Sequence, residues 1–469
     1  MPKLSEFDRY MNWLCETLGH RDRHRGVADY SRGLMLPIER KSVEPLAAHI
    51  DPWAVSAKHQ SLHHVVANSD WSDEVVLARV REWVSPTLQL DEGCYWIVDD
   101  TGLPKKGEHS VGVARQYCGE LGKSENCQVA VSLSLASHRG SIPISWHLYL
   151  PKEWTDDKAR CAKVGVPKPV RFTTKHDISL KQLRVAQAAG VSPGVVLADT
   201  SYGNKTSYRE ALSEMRFTYC MAVQKDTTVW PHGQGPLPPR RRKKWSLGGR
   251  RPLYMQRNRK HRPIYVRVVA EQLPASAWCT MSWREGTNAP LSGRFAATRV
   301  RPARLDYRRK SARPEEWLLV EWPEGMSEPQ RYWLSTLPAS ATLQELVQTA
   351  KMRWRIERDY QELKQEFGLG HYEGRGWRGF HHHASLCIAV FGFLTAHRLK
   401  RSRGKKNSAQ PKVPALPTSH APRGSRQDAA SRARLHHNAA IPARSADRSP
   451  TRSMSMRLPS QSEAPFMTQ

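Results

Sequence analysis

The chain has 469 residues, with 73 Lys and Arg against 44 Asp and Glu, for a formal net charge of +29. That length suits two or three domains, 39% hydrophobic residues can build a core, and so large a cationic excess points to a polyanionic partner. The longest apolar run, 384–396, is too short to cross a bilayer and the first eight residues hold no apolar signal region, so neither a membrane span nor export is expected.

Residues 1–90 read as mainly helical. Ser42 ahead of Val43-Glu44-Pro45 and Ser72 ahead of Asp73-Glu74 have the character of helix N-caps. After Ser72, Val75, Val76, Leu77, Val80, Trp83 and Val84 make an apolar face at helical spacing. The pattern then changes to strands. Tyr95-Trp96-Ile97-Val98 is an apolar run ending in Asp99-Asp100, and 128–135 alternates with the period of a strand. A third strand is expected at 142–150, a helix around Leu180 and Leu183, and a fourth strand at 195–198 that again ends in an acid, Asp199. A helix at about 205–215 and a strand at 217–223 follow.

Between 225 and 335 the sequence breaks into short β-like pieces (264–269, 317–322, 332–334) and cationic loops. Residues 240–262 carry 11 Lys or Arg and no acid. Arg240, Arg241, Arg242, Lys243 and Lys244 form one block, expected to hold DNA phosphates, with Trp245 beside them placed to stack on a base. The other tryptophans of this stretch are expected to pack inward. Thr342-Leu343-Gln344-Glu345 is a capping box that should open one long helix to about residue 366, ended by Gly368 and Gly370. A core helix is expected over 383–398. Beyond it the segment is rich in Ser, Pro and cations, and is expected to be a disordered basic tail. The eight cysteines form no Cys-x-x-Cys pair, which suits reduced thiols in a cytosol.

The chemistry concentrates in acids. Carboxylates at two strand ends and a third on a helix, Glu357, could hold hard divalent cations for phosphoryl transfer. Strand alternation sends Asp99 and Asp100 to opposite faces, so one of the two should serve. Arg353, Glu357, Tyr360 and Lys364 are spaced by 4, 3 and 4 residues and share one helical stripe. His381-His382-His383 cannot all face one site, and a surface or phosphate-contacting role is expected for them.

These residues carry a resemblance. Arg353, Glu357 and Lys364 match the Arg, Glu and Lys of the Tyr-Arg-Glu-Lys signature of a group of DDE-type bacterial insertion-sequence transposases. The signature's Tyr falls on Ala350, and Tyr360 is the candidate to share its role. Asp99-Asp100-Thr101-Gly102 resembles the family's first Asp motif, and Ala198-Asp199 with Tyr202-Gly203 its second. The resemblance implies an α/β, RNase H-like catalytic domain (91–224 and 336–398) with a β-rich basic insertion (225–335). A helical N-terminal region (1–90), expected to bind DNA, precedes it, and the basic tail (399–469) follows. It also implies Asp99, Asp199 and Glu357 as catalytic metal ligands, with Asp100 the alternative to Asp99. Mg²⁺ or Mn²⁺ would be the cofactor, as two ions. Arg353, Tyr360 and Lys364 would contact DNA. The implied activity is cleavage of insertion-sequence ends and joining of 3′-hydroxyls to target DNA, by a homodimer on DNA in a bacterial cytoplasm at the nucleoid. The alternative is a transposase-derived DNA-binding protein without catalysis.

Overall fold

The computed structural model describes residues 4–88, 90, 93–239, 253–284 and 291–407. The chain begins with helices α1 (Glu6–Cys15), α2 (Asp22–Leu34), α3 (Val43–Ile50), α4 (Val55–His63) and α5 (Asp73–Leu88). A π-helical turn, His64–Asn68, continues α4. α3 starts just after Ser42, though the Ser42 side chain makes no capping bond, and Ser72 Oγ accepts the Val75 N–H at 3.3 Å. Val76, Leu77, Val80 and Val84 are the buried face of α5, while Val75 is exposed.

Strands β1 (Tyr95–Pro104), β2 (Ala114–Cys118), β3 (Lys123–Ala136) and β4 (Ser141–Tyr149) come next. Short helices α6 (Lys152–Asp156) and α7 (Lys158–Lys163) lead to α8 (Lys175–Ala188), β5 (Val195–Ala198), α9 (Thr200–Gly203), α10 (Thr206–Glu214) and β6 (Thr218–Val223). The next stretch holds β7 (Thr228–Pro231), β8 (Ile264–Tyr265), α11 (Val266–Glu271), β9 (Cys279–Arg284), β10 (Leu291–Pro302), β11 (Glu316–Trp322) and β12 (Arg331–Ser335). Helices α12 (Leu343–Lys351), α13 (Trp354–Gln365) and α14 (Trp377–Asn407) follow.

Among the described residues all twelve strands join one mixed sheet, in the order β2-β3-β1-β5-β6-β12-β11-β10-β7-β8, with β4 also on β3 and β9 on β10. β1 pairs with β5, and β5 with β6, in parallel; the remaining pairs are antiparallel. Parallel neighbours need a crossover, and α8 and α10 supply it. The strands after residue 225 enter the sheet through β12, which pairs with β6 from Tyr332↔Val223 to Ser335↔Cys220. The apolar segment of α14 lies at the centre: Leu386, Ile388, Ala389 and Val390 are fully buried.

Several expectations are corrected. The run 264–269 is a strand for two residues only, and Val266, Val269 and Ala270 are the buried face of a helix. Their i, i+3, i+4 spacing fits a helix as well as the apolar run fits a strand. The helix expected from 343 to 366 is two helices, broken at Met352 and Arg353. The Thr342–Glu345 capping box is present. Backbone at Arg353 stays right-handed (φ −57°, ψ −28°), but Arg355 and Ile356 bond three residues back, to Met352 and Arg353 carbonyls, so the chain tightens to 3₁₀ geometry there. Finally, α14 does not stop at 398. It runs to Asn407, with Leu399 packed beside Gly140 and Lys400 paired with Glu6, so the first residues assigned to the tail are helical.

Of the tryptophans expected inside, Trp230 is fully buried and donates to Asp306 Oδ2 at 2.7 Å and Trp333 is buried in the sheet, whereas Trp278, Trp283, Trp317 and Trp322 are only half-buried. The block 240–244 and Trp245, like residues 408–469, lie outside the described residues.

Among the described residues no helix is long and apolar enough to cross a membrane.

Candidate active site

β1 lies between antiparallel β3 and parallel β5. Its acids do not end the strand, as its apolar run suggested; they sit in mid-strand, Asp99 opposite Ser132 and Asp100 opposite Val131 of β3. On the other side Ile97 aligns with Leu197, the last aligned pair of β1 with β5. Asp99 comes two residues further along β1 and Asp199 one residue beyond the end of β5, so the two acids meet where the strands part, close enough for the charge of Asp199 to act on Asp99. Such a point, at the carboxyl end of a parallel strand, is where open α/β sheets offer a crevice. Asp199 is the N-cap of α9: its Oδ1 accepts the Ser201 N–H at 3.0 Å, the Tyr202 N–H at 3.3 Å and the Ser201 hydroxyl at 2.6 Å.

The third acid arrives on α13. Because the helix breaks at Met352 and Arg353, Glu357 stands in the first turn of α13. Arg353 bridges the two groups: Nη1 donates to Asp99 Oδ2 at 2.9 Å and Nη2 to Glu357 Oε1. Asp99, Asp100, Asp199, Arg353, Glu357, Tyr360 and Lys364 therefore line one cleft of about 760 Å³.

The electrostatics follow from crowding. Burial pushes the Asp99 carboxyl up to about 7; Arg353 opposes this, while the charges of Asp199 and Asp100 add to it. Burial also works against the charge of Arg353, but Asp99, Glu357 and Asp199 outweigh it and hold its proton more firmly. Asp100 also faces this cleft, despite alternation along the strand. Its Oδ2 accepts from Lys175 Nζ at 2.6 Å and its Oδ1 from the Tyr202 hydroxyl at 3.4 Å. Lys364 Nζ donates to Gly102 O at 2.9 Å and to Glu120 Oε2 at 2.6 Å. Tyr360 is buried, and its hydroxyl is 2.8 Å from Ser132 Oγ, so it forms the floor of the cleft. As they stand, no three His, Cys, Asp or Glu side chains among the described residues are grouped closely enough to hold a metal ion.

Lys175, Glu120 and Ser132 escaped the reading of the sequence. Nothing marks them there: Lys175 is one cation among 73, and its role comes from the packing of α8 beside β1.

The three adjacent histidines are not at the surface. His381, His382 and His383 are 5%, 2% and 1% exposed. His381 Nε2 takes the Leu148 N–H, His382 stacks on Trp71 at 3.5 Å and sits between the carbonyls of Val66 and Trp71, and His383 pairs with the Tyr30 hydroxyl at 2.8 Å. Burial holds each imidazole down to about 4. His381 and His383 serve α14 as neutral polar ties to β4 and α2, whereas a neutral His382 donates to only one of the two carbonyls beside it.

Lys351, the last residue of α12, points into the sheet. Its Nζ meets both oxygens of Glu321 on β11, at 2.7 and 2.8 Å, and lies 4.2 Å from the Trp283 ring, 5.3 Å from Phe295 and 5.6 Å from Trp333. Burial works against the ammonium, and Glu321 opposes that effect. A cation gripped by an acid and three aromatic faces is a strong tether. It acts two residues before Arg353.

Against this geometry stand two likenesses. A family model described as DDE superfamily endonuclease matches residues 13–290. The match takes in Asp99, Asp100 and Asp199 and ends before the helix that carries Glu357. A curated relative, described as a probable transposase for insertion sequence element IS701 from Microchaete diplosiphon, is 25% identical over 231 residues, 49% of this chain and 56% of that protein. The chain thus spans about half the length of the curated relative it matches.

Proposed function

The chain belongs to the DDE superfamily endonucleases, and from that premise we propose that it is an insertion-sequence transposase. It would cleave the ends of its element and join the 3′-hydroxyls to target DNA by metal-assisted phosphoryl transfer. One observation supports this reading above the others: Asp99 and Asp199 share a cleft at the point where β1 and β5 part, and Arg353 pairs with both Asp99 and Glu357. The strand order β4-β3-β1-β5-β6, three antiparallel strands then two parallel, supports an RNase H-like catalytic region.

Asp99, Asp199 and Glu357 would hold Mg²⁺ or Mn²⁺; their donor chemistry fits that role, and the three carboxylates would have to draw together around the ion. All their donors are hard carboxylate oxygens. Asp99, Asp100 and Asp199 crowd negative charge that a divalent cation relieves, and Glu357 is 58% exposed at the cleft. When bound, two such ions activate water or a 3′-hydroxyl and stabilise the leaving oxygen of the in-line displacement. Arg353 balances the acids and faces incoming phosphate, Lys364 supplies a second cation on the same helix, and Lys175 holds Asp100 out of the set.

The test is incubation of the full chain with duplexes carrying the DNA that flanks its gene, with Mg²⁺ or with EDTA. Expected are Mg²⁺-dependent breaks that leave 3′-hydroxyls, and a melting temperature that Mg²⁺ raises in the wild type but not in Asp199→Asn. Binding without any cleavage would favour the non-catalytic alternative. Cleavage unaffected by EDTA would sink the metal assignment.

A further inference from the structure

The cleft is lined by five carboxyl groups and three Lys or Arg side chains, so it is short of positive charge for a strand of phosphates. Each of the three cations is also engaged: Arg353 with Asp99 and Glu357, Lys175 with Asp100, and Lys364 with Glu120. The last pairing differs in kind from the others. Asp99 and Asp100 are fixed in mid-strand and Glu357 on a helix, whereas Glu120 sits in the turn 119–122 that joins β2 to β3, and all four residues of that turn are exposed.

The hairpin is firm at its base and open at its tip. Gln116 Nε2 donates to Cys127 O at 2.9 Å, and a Cβ at Gly102 would lie 2.6 Å from Cys118 Sγ, so the end of β2 is pressed on β1. At Gly119 and Gly122 no atom beyond the chain neighbours lies within 4 Å of where a Cβ would stand, and Gly122 has φ +64°. Glycines on either side of Glu120 and Leu121 let the tip swing on a fixed base. The tip reaches the catalytic helix through its carboxylate: Glu120 Oε2 accepts from Lys364 Nζ at 2.6 Å, with Lys364 17% and Glu120 44% exposed. Lys364 lies two turns beyond Glu357 on α13. A carboxylate oxygen on that ammonium stands where a phosphodiester oxygen would.

We propose that Glu120 is a built-in competitor of the DNA strand: its carboxylate occupies Lys364 in the free protein, and the 119–122 turn lifts away when a phosphodiester takes that place. The proposal rests on the reading of this cleft as the one that meets DNA, and adds a regulation of its entry. Gly102 O already takes one donor of Lys364, at 2.9 Å. A phosphate sharing the ammonium with Glu120 would bring two anions together beside a crowd of carboxylates, so one excludes the other. The contact sets a threshold and is no lock. An ion pair with one partner this exposed shifts an equilibrium only about two- to fivefold, and a strand carrying many phosphates displaces it.

The experiment measures binding of the flanking-DNA duplex by the full chain over a range of salt. Ca²⁺ replaces Mg²⁺, so that the carboxylates are neutralised while the looser coordination of Ca²⁺ disfavours cleavage. Wild type is compared with Glu120→Gln, Lys364→Gln and the double variant. Glu120→Gln should bind about two- to fivefold more tightly. Its log–log salt slope should equal that of the wild type, because the same phosphate contact forms. Lys364→Gln should bind more weakly and lose about 0.9 of the slope, one contact. In the Lys364→Gln background the exchange at Glu120 should change nothing. Glu125→Gln, on the same hairpin and paired with Lys123 at 3.3 Å, controls for general charge and should leave affinity unchanged. A gain at Glu120 that persists without Lys364, or that Glu125→Gln matches, would make Glu120 one more negative charge near DNA and overturn the proposal. Unchanged or weaker binding by Glu120→Gln would make the ion pair a fixed part of the site and equally overturn it. A gain that depends on Lys364 in a protein that never cuts DNA in Mg²⁺ would sink the transposase reading alone; Mg²⁺-dependent cleavage with no gain would sink this inference alone.

Discussion

Replacing Asp99, Asp199 or Glu357 singly by its isosteric amide should lower strand cleavage by roughly 10³-fold or more while leaving duplex affinity within a few-fold. The amide keeps shape and hydrogen-bonding reach and removes the charge. A metal ligand is sensitive to that exchange; a carboxylate that merely caps a helix is not. Asp199 makes the comparison sharp, because it caps α9 as well. Asn is as good a cap as Asp, so Asp199→Asn separates the two roles. The melting temperature should hold for Asp199→Asn, which removes like-charge crowding, and fall modestly for Asp99→Asn and Glu357→Gln, each of which takes a charged partner from Arg353. Asp100→Asn is the control at the neighbouring position: its carboxylate is paired with Lys175. A dead Asp100→Asn beside an active Asp99→Asn would shift the first ligand by one residue. Full cleavage by any of the three variants would remove that residue from the site.

The second large effect is expected from Gly203→Ala. A Cβ at Gly203 would lie 1.9 Å from the carbonyl oxygen of Ala222 and 3.2 Å from Met221 Cβ. Both belong to β6, so relief requires α9 or the strand to move. β6 joins β5 to β12 and thereby links the two halves of the sheet. Forcing a methyl into such a contact should cost on the order of 3 kcal/mol and lower the urea midpoint accordingly. Gly119→Ala is the matched control, because no atom lies within 4 Å of a Cβ built there. Equal midpoints for the two variants would mean that α9 does not press on β6. The close approach also accounts for the Gly that follows Tyr202 four residues after the second acid: only Gly lets the turn that aims Asp199 lie against the next strand.

What the sequence disclosed was what local physics writes. Val195 to Ala198 is a short apolar run closed by an acid, and it is β5 capped by Asp199. The Thr342–Glu345 pair is a reciprocal cap and begins α12. The alternation over 128–135 is the middle of β3, though the strand starts five residues earlier, where Lys123, Ser124 and Glu125 give no apolar period. Of β9 and β10, which went unseen, β9 does carry a strand signal, with Cys279, Met281 and Trp283 alternating against Thr280, Ser282 and Arg284, whereas Ser292, Gly293 and Arg294 open β10 with no apolar face. The break at Met352 and Arg353 has no Pro or Gly to announce it. For the site, the three acids and Arg353 were legible as residue types in order, whereas their pairing was not. Which cation meets which carboxylate depends on where α8 and α13 settle on β1, and no short stretch of sequence encodes that. The burial of His381, His382 and His383 belongs to the same class: three polar neighbours read as surface until α2, β4 and the 64–71 segment close around them.

Lys351 gives the strands after residue 225 a thermodynamic stake in the cleft. Its ammonium is held by Glu321 and the rings of Trp283, Phe295 and Trp333, all on those strands, and the break that sets Arg353 and Glu357 starts at the next residue. A substitution that loosens this grip is expected to shift Glu357 without touching it. On that expectation the two regions share a coupling free energy, and linkage is reciprocal: whatever orders Glu357 should also tighten the distant strands. A double-mutant cycle on Glu321→Gln and Glu357→Gln, read in urea midpoints with and without Mg²⁺, measures it; strictly additive effects would leave the outer strands as a passive extension of the sheet.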